Sequence, residues 1–533
     1  MSLELVGSRS VTKAHIGLPW LAITGTDPES VKLDSADQLP GLEGNLEAAF
    51  VAERETWWSL GRKLFAQPTG DVSHAAACAS FGSDLGLMLA WVRLVSDLTV
   101  SEKNCVVICD DPWVYRALAA LPGIRAKTPP NMFVPELRYC VRGFAARLKN
   151  AIRLAWTSIK THGFVSQVQN KKGALIVYAH PQSRVDGFDA YFGDLLQVEP
   201  ELVRLLHTDG PLERANELCA DGRSASLHAF GNPFFALFRL PFVRWRPVGL
   251  VTSAPHLWLI RRAAVLENSG AGPALNRWQL HCQDRWLDRA KPNAVAWPWE
   301  NFAWERGLVR SARSRGIRSI GYQHTVVGPH HFNYSPNGNP DNHESLPDQI
   351  VCNGPAYRDD LLAFGNPIDR IVNGGAFRFK NSRQQRFDPK GPVFIPLSAN
   401  LKIAKQQISA ARVIDRSGRK ALLKPHPMYP IGITPEQNLE VTDVPFERQE
   451  NISVMLYTTG ASGLEGLLSG VPCVRLRLPD QISIDVLPEG VATPTTTIET
   501  VVSTISSVPM IEPLQWSNIY SSPDYDLWRQ LLN

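Results

Sequence analysis

Two short stretches hold side chains able to do chemistry. In "LLKPHPMYP", Lys424 and His426 alternate with Pro425 and Pro427. Each proline fixes its own φ and pushes the preceding residue towards extended backbone. A cationic and a proton-donating side chain are thereby held on a stiff loop. In "YTTGASGLEG", Thr458, Thr459 and Ser462 surround Gly460. The glycine lets a ligand approach the backbone, and a helix starting beside it presents unpaired N–H groups. That combination suits a phosphate. Glu465 falls on the first turn of the same helix. The plainer roles for these residues are a turn at the prolines and helix capping by Thr and Ser.

Chemistry that removes a proton would need a base, usually a carboxylate or histidine. Glu300 ends "NAVAWPWE", where an apolar strand meets its loop, and is the first candidate. Asp186 and Asp189, in "SRVDGFDAYFG" after the apolar "GALIVYAH", are the second. Glu305 follows on a helix, where it caps or pairs with Arg306, and Asp110 and Asp111 stand at a helix N-cap before Pro112. Gln323 and His324 close "IRSIGYQH" and point to contacts with a bound ligand. The adjacent His330 and His331 lack an acidic or cysteine partner at ligand spacing, so no metal site is expected. Trp57, Trp58, Trp299 and Trp304 suit stacking on a sugar or, more plainly, a core.

Positioning these groups falls to alternating strands and helices. "NCVVICDD", "GALIVYAH", "NAVAWPWE", "IRSIGYQH" and "DQIVCNG" each run into a helical pattern, and the series resumes with "PVFIPLS", "KALLKPHP" and "NISVMLYTTG". Such alternation predicts parallel sheets covered on both faces. The reading is an α/β fold with two Rossmann-like domains. An N-terminal α/β or helical region spans 1–165 and the first Rossmann-like domain 166–380. A basic linker at 381–391 leads to the second at 392–533. Ligands of such sheets bind beyond the carboxyl ends of the strands, so "KPHP" and "TTGAS" share one crevice.

The 533 residues are 44% hydrophobic and 20% charged with a formal net charge of +4, enough for sizeable cores and too weakly basic for a nucleic-acid partner. Eight cysteines without a CxxC pair, and an opening without a continuous apolar core, predict reduced thiols in a cytoplasm. No run is long and apolar enough to span a membrane. Two segments, 141–160 and 230–247, interleave aromatic and apolar residues with arginines such as Arg142, Arg153, Arg239, Arg244 and Arg246. They suit either ordinary packing or peripheral docking on an anionic inner-leaflet surface.

The pair "KPHP" and "TTGASGLEGLLSGVPCV" resembles the donor half of GT-B glycosyltransferases, closest to the His-Pro motif group of sialyltransferases, capsule Kdo transferases and polyol-phosphate polymerases. "ETWWSLGRKL", "WENFAWERGL", "IGYQHTVVGP" and "GGAFR" resemble bacterial surface-carbohydrate biosynthesis proteins. The resemblance implies a GT-B fold, two Rossmann-like domains facing a cleft. It implies an inverting glycosyltransferase whose nucleotide-sugar donor lies on Lys424, His426, Pro427, Thr458, Thr459, Gly460 and Ser462, with Glu465 towards the ribose. The acceptor is then a surface glycan or its lipid-linked precursor, as in lipopolysaccharide or capsule synthesis. One histidine, one lysine and one helix N-terminus, without an arginine run or a DxD pair, favour a single leaving phosphate. The expected donor is therefore a CMP-linked ulosonic acid such as Kdo or a sialic-acid-like sugar, with no cofactor and no metal. UDP- or GDP-sugar transfer, CDP-polyol transfer and a sugar-nucleotide epimerase are the alternatives among enzymes, and a carbohydrate-binding scaffold is the alternative outside them.

Overall fold

The computed structural model describes residues 3–26, 33–101, 104–169, 172–341, 343–379, 387–426, 429 and 431–533. Its strands are short and mostly buried, because helices cover both faces of each sheet. The N-terminal region carries Leu3–Val6 (β1), Trp20–Ala22 (β2), Val106–Ile108 (β3) and Ile124–Ala126 (β4), ordered β2-β3-β1-β4. The second sheet holds Gly173–Val177 (β5), Val203–Leu206 (β6), Ser224–Ser226 (β7), Ala294–Pro298 (β8), Arg318–Gln323 (β9), Gln349–Cys352 (β10) and Ile371–Asn373 (β11). The third holds Val393–Pro396 (β12), Ala421–Lys424 (β13), Leu439–Val441 (β14), Val454–Tyr457 (β15), Cys473–Leu476 (β16) and Thr495–Thr496 (β17). All of these strands pair in parallel.

The strand orders identify the architecture. The second sheet runs β11-β10-β9-β8-β5-β6-β7 and the third β14-β13-β12-β15-β16-β17. In both, the chain winds one way from its first strand, then returns and winds the other way. This is the doubly wound Rossmann order, and it opens a crevice where the direction reverses. The reversals lie between β5 and β8, and between β12 and β15. The expected α/β fold with two Rossmann-like domains is therefore present, preceded by a third α/β unit.

Tertiary packing ties the three units together. Phe50 of the first unit stacks on Phe332 of the second at 4.8 Å, and the Trp58 indole donates to the Phe332 carbonyl at 2.9 Å. Glu47 of the first unit pairs with Arg475 and Arg477 of the third at 2.6 and 3.0 Å. The C-terminal helix Tyr525–Leu532, which the sequence assigns to 392–533, packs on the second sheet instead. Trp528 is buried there against Phe192, Tyr322 and Phe377, and Arg529 pairs with Glu199 at 2.8 Å. Most of the expected linker, 381–386, lies outside the described residues.

Candidate active site

At the reversal of the third sheet, β12 runs into Ser398, Ala399 and Asn400. The Asn400 side chain caps the helix Leu401–Arg416, accepting from the Lys402 N–H at 3.0 Å. Neighbouring β15 runs into Thr458, Thr459 and Gly460. Gly460 has φ +97°, a region that disfavours any side chain, and a Cβ there would meet nothing within 4 Å. The Thr459 and Ser398 hydroxyls face each other across the crevice at 3.5 Å. The following helix, Ser462–Leu468, receives no side-chain cap at Ala461. The Thr and Ser hydroxyls are thus not spent on capping, and the N–H groups of the first turn are left to other partners.

These loops wall a cavity of about 720 Å³. His426 and Tyr429 line it from the turn after β13, closed by the Tyr429 N–H donating to the His426 carbonyl at 3.1 Å, and Gln481 lines it from beyond β16. Ser80 to Asp84 of the first unit form the facing wall. One polar atom of the wall, Nε2 of Gln481, is buried without a hydrogen-bond partner, whereas Thr458, expected on the ligand, is fully buried behind the wall with its Oγ1 unpaired. Buried polar atoms are rarely left unpaired, so the region is built for a polar occupant. No arginine or lysine lines the cavity among the described residues. Burial, assisted by the Lys424 charge, holds His426 below the ordinary imidazole range, so it is neutral near pH 7 and able to donate one hydrogen bond.

The reversal of the second sheet carries different chemistry. Trp299 is buried beyond β8, and Glu300 follows it. The turn is held by Glu305, whose carboxylate accepts from the Trp297 indole at 3.1 Å and from the Glu300 and Asn301 N–H groups at 2.9 Å each. Glu305 is therefore committed to the backbone. The Glu300 side chain stays 31% exposed, with its Oε1 3.9 Å from Nε2 of His324. Burial pushes the Glu300 carboxyl up to about 7, with Arg378 pulling the other way. His324 is held well below its ordinary range by burial and by Arg378, and its Nδ1 is buried without a partner. The Tyr191 ring stands edge-on to His324 at 5.1 Å, and the Arg378 guanidinium lies 5.5 Å from the centre of that ring. Arg378 also acts on Glu465, whose carboxyl burial and Glu447 push up to about 7. Arg378 is exposed and lies over the Tyr191 and Phe379 rings, and its charge lowers both the Glu300 and the Glu465 carboxyls without pairing directly with either.

Several expected residues take other places. Asp189 is fully buried, 3.8 Å from Arg204, accepting from the Tyr191 and Phe192 N–H groups and the Ser183 hydroxyl. It holds the loop and cannot reach a ligand. Asp186 sits on an exposed turn, paired with Arg184 at 3.0 Å, and the Phe188 N–H and Arg184 keep it below the usual carboxylate range. Neither is placed to act as the base: burial raises the Asp189 carboxyl but seals it from any ligand, and Asp186 is exposed and held low. Gln323 is fully buried, donating to the Thr325 carbonyl and accepting from the Asn353 N–H, so its amide is used inside the protein. Lys424 closes β13 outside the cavity wall and acts on His426 through its charge. Pro427 lies outside the described residues. Trp57, Trp58, Trp299 and Trp304 are core residues. His330 and His331 accept from the N–H groups of Asp485 and Gly328 at 2.9 and 3.0 Å. Among the described residues, no group of three or more His, Cys, Asp or Glu is placed to hold a metal ion.

The sequence reading omits Ser398, Asn400, Gln481 and Arg378. A signal existed for the first two: the loop after the first strand of a doubly wound sheet must border the crevice. Arg378 is the last residue of the fragment "GGAFR", but the groups around it come from three distant elements.

Neither a protein-family model nor a curated protein sequence matches the chain. Solved structures share its outline at low identity. UDP-GlcNAc 2-epimerase from Neisseria meningitidis, bound to UDP-GlcNAc, is 9% identical with a TM-score of 0.35, covering 67% of this chain and 99% of its own. UDP-N-acetylglucosamine 2-epimerase from Rickettsia bellii is 12% identical with a TM-score of 0.35, covering 68% and 94%. Arabidopsis thaliana UGT89C1 complexed with quercetin is 14% identical with a TM-score of 0.38, covering 63% and 90%. With values this low, the fold assignment rests on the two strand orders.

Proposed function

We propose that the chain is an inverting glycosyltransferase that takes a sugar from a nucleotide-activated donor. The observation that carries this is the pairing of two reversal points. One opens a cavity of about 720 Å³ whose third-sheet wall offers Ser398, Asn400, His426, Thr459 and Ser462, with Asp84 and apolar side chains elsewhere on the wall, and the other holds a carboxyl near 7, with the Arg378 charge felt by Glu300 and Glu465. The donor phosphate lies against Thr459, Ser462, the first N–H groups of the following helix and His426. Glu300 takes the proton of the acceptor hydroxyl as its oxygen attacks the anomeric carbon from the face opposite the phosphate. The bond from that carbon to the phosphate oxygen breaks, and the neutral donors stabilise the charge left on the phosphate. Glu465 accepts from the nucleotide ribose.

Among the described residues the wall holds no arginine or lysine, which suits a single leaving phosphate, so the preferred donor is a CMP-linked ulosonic acid and the proposed transfer is metal-independent. The acceptor is a surface glycan or its lipid-linked precursor. A second reading, transfer from or epimerisation of a UDP-sugar, is favoured by the cavity volume of about 720 Å³, which admits a nucleotide diphosphate sugar. Thermal shifts with CMP, CDP, UDP and GDP, followed by product analysis with each donor class in EDTA, separate the two. Stabilisation by CMP and transfer from a CMP-ulosonate support the preferred donor. Stabilisation by UDP, with either transfer or a 2-epimer as product, replaces it, and strict Mg²⁺ dependence removes the metal-independent step.

A further inference from the structure

The helix Phe133–Thr161 turns two faces away from the protein. Its inner face is fixed by close contact. A Cβ on Gly143 would lie 1.9 Å from the Asn268 carbonyl oxygen, so only glycine permits this approach. The buried Arg147 donates to the carbonyls of Asn268 at 2.7 Å and Pro241 at 3.1 Å. With that face committed, Val134, Leu137, Val141, Leu148, Ile152 and Ile159 form an exposed stripe at helical spacing. Phe144 lies on the stripe, and Trp156, 59% exposed, lies beside it. The stripe runs for roughly 40 Å at about 1.5 Å per residue.

A second element widens it. The helix Pro233–Arg239 and the turn after it expose Phe234, Phe238 and Phe242, with Phe238 69% exposed. The Phe242 ring lies 6.2 Å from that of Phe144, so the two segments form one patch. Its apolar area is on the order of 1,000 Å², where the largest patch of an ordinary monomer reaches about 300–600 Å². Basic side chains flank it. Arg138, Arg142, Lys149, Arg153 and Lys160 are exposed along the next face of the long helix, and Arg239 ends the short one. The one acidic residue on the long helix, Glu136, is engaged by Arg261 at 2.8 Å.

We infer that this patch docks the protein on the surface of an anionic lipid bilayer, with the long helix lying in the plane of the interface. Aromatic and aliphatic side chains enter the acyl boundary while the flanking cations meet the headgroups. Charge decides between a bilayer and a second copy of the chain. Pairing two copies through this face would set one basic flank against another, which an anionic surface does not. The inference is independent of the nucleotide-sugar reading.

Flotation of the full chain with phosphatidylcholine vesicles, with and without phosphatidylglycerol, tests it. Cys140, the exposed cysteine of the long helix, takes an environment-sensitive dye as a second readout. Association is expected with the anionic vesicles at low salt, with a blue shift of the dye and loss at high salt. Replacing Arg142, Arg153 and Arg239 by serine should weaken it by about 10²-fold, and Trp156→Ser with Phe238→Ser should do at least as much. Both variants alter exposed positions, so their thermal unfolding should match the parent. Absence of binding to the anionic vesicles overturns the inference, as does binding that neither variant weakens. A solution dimer that Trp156→Ser dissociates overturns it in favour of a second copy.

Discussion

The same strand order occurs twice in this chain, and its two reversal points have diverged. Beyond β12 and β15 the side chains are small and neutral, and the crevice stays open. Beyond β5 and β8 it is crowded with Tyr191, His324 and Glu300, and burial raises the carboxyl to about 7. Topology supplies a crevice in both places, but the residues after each strand decide its chemistry. Hydroxyls, a positive-φ glycine and backbone N–H groups suit a charge that arrives already formed, such as the phosphate of the proposed donor. A carboxyl forced towards neutrality by burial is ready to accept a proton. The two cannot be exchanged, so their division of labour is open to direct attack.

The most damaging change should be Glu300→Gln. The amide keeps the shape but cannot take a proton, and loss of a general base typically costs about 10²–10⁴-fold in rate. Turnover should fall by that much while thermal shifts with nucleotide stay unchanged. Retained turnover would place the base elsewhere, and lost nucleotide affinity would merge the two sites into one. On the other side, His426→Ala should reduce turnover by about 10²–10³-fold, the scale for one preorganised donor. Near-parental turnover in a folded variant would remove His426 from the phosphate site.

Legibility differed between the two sites for a physical reason. Part of the open site is local, since "TTGAS" supplies Thr459, Gly460 and Ser462 and "KPHP" supplies His426, while Ser80 to Asp84, Ser398, Asn400 and Gln481 come from distant segments. The crowded one is built from tertiary contacts. Asp189 and Glu300 look alike in sequence, each an acid after an apolar strand. Asp189 is claimed by Arg204, which lies fully buried within β6 and also pairs with Asp221 at 2.8 Å. An arginine inside an apolar strand was the available sign that nearby acids would be drawn into the core, since a buried charge needs a partner. Nothing comparable marks Arg378, whose neighbours Glu300, Tyr191 and Glu465 are scattered over nearly three hundred residues. The sheets were easier. β5, β8 and β15 are buried along their whole length, and their apolar runs show it.

The link between the sites can be tested through pH. With Glu300 as the proposed base, which acts only when ionised, kcat/KM should fall as pH drops through about 7. Arg378 lowers the Glu300 pKa, so Arg378→Gln should move this acid limb to higher pH. An unmoved limb in an active variant would separate Arg378 from the base, leaving it a support for Glu465 alone.

The smallest effect concerns stability, and its sign follows from burial. Glu300 titrates near 7 in the folded protein against an ordinary value of 4.5, so the folded state holds its proton more tightly than the unfolded state does. Its favourable contribution is complete below the unfolded value and is lost as pH rises through about 7. Glu305, pushed up to about 8, and Glu465, at about 7, act in the same direction. The parent protein should therefore lose thermal stability between pH 5 and pH 8, and Glu300→Gln should lose less, because the amide does not ionise. The variant should match the parent at pH 5 and unfold on the order of 2 °C higher at pH 8. Equal unfolding temperatures at both pH values would mean that Glu300 is solvated as an ordinary surface carboxylate. The contrast between a crowded and an open reversal point would then lose its electrostatic basis.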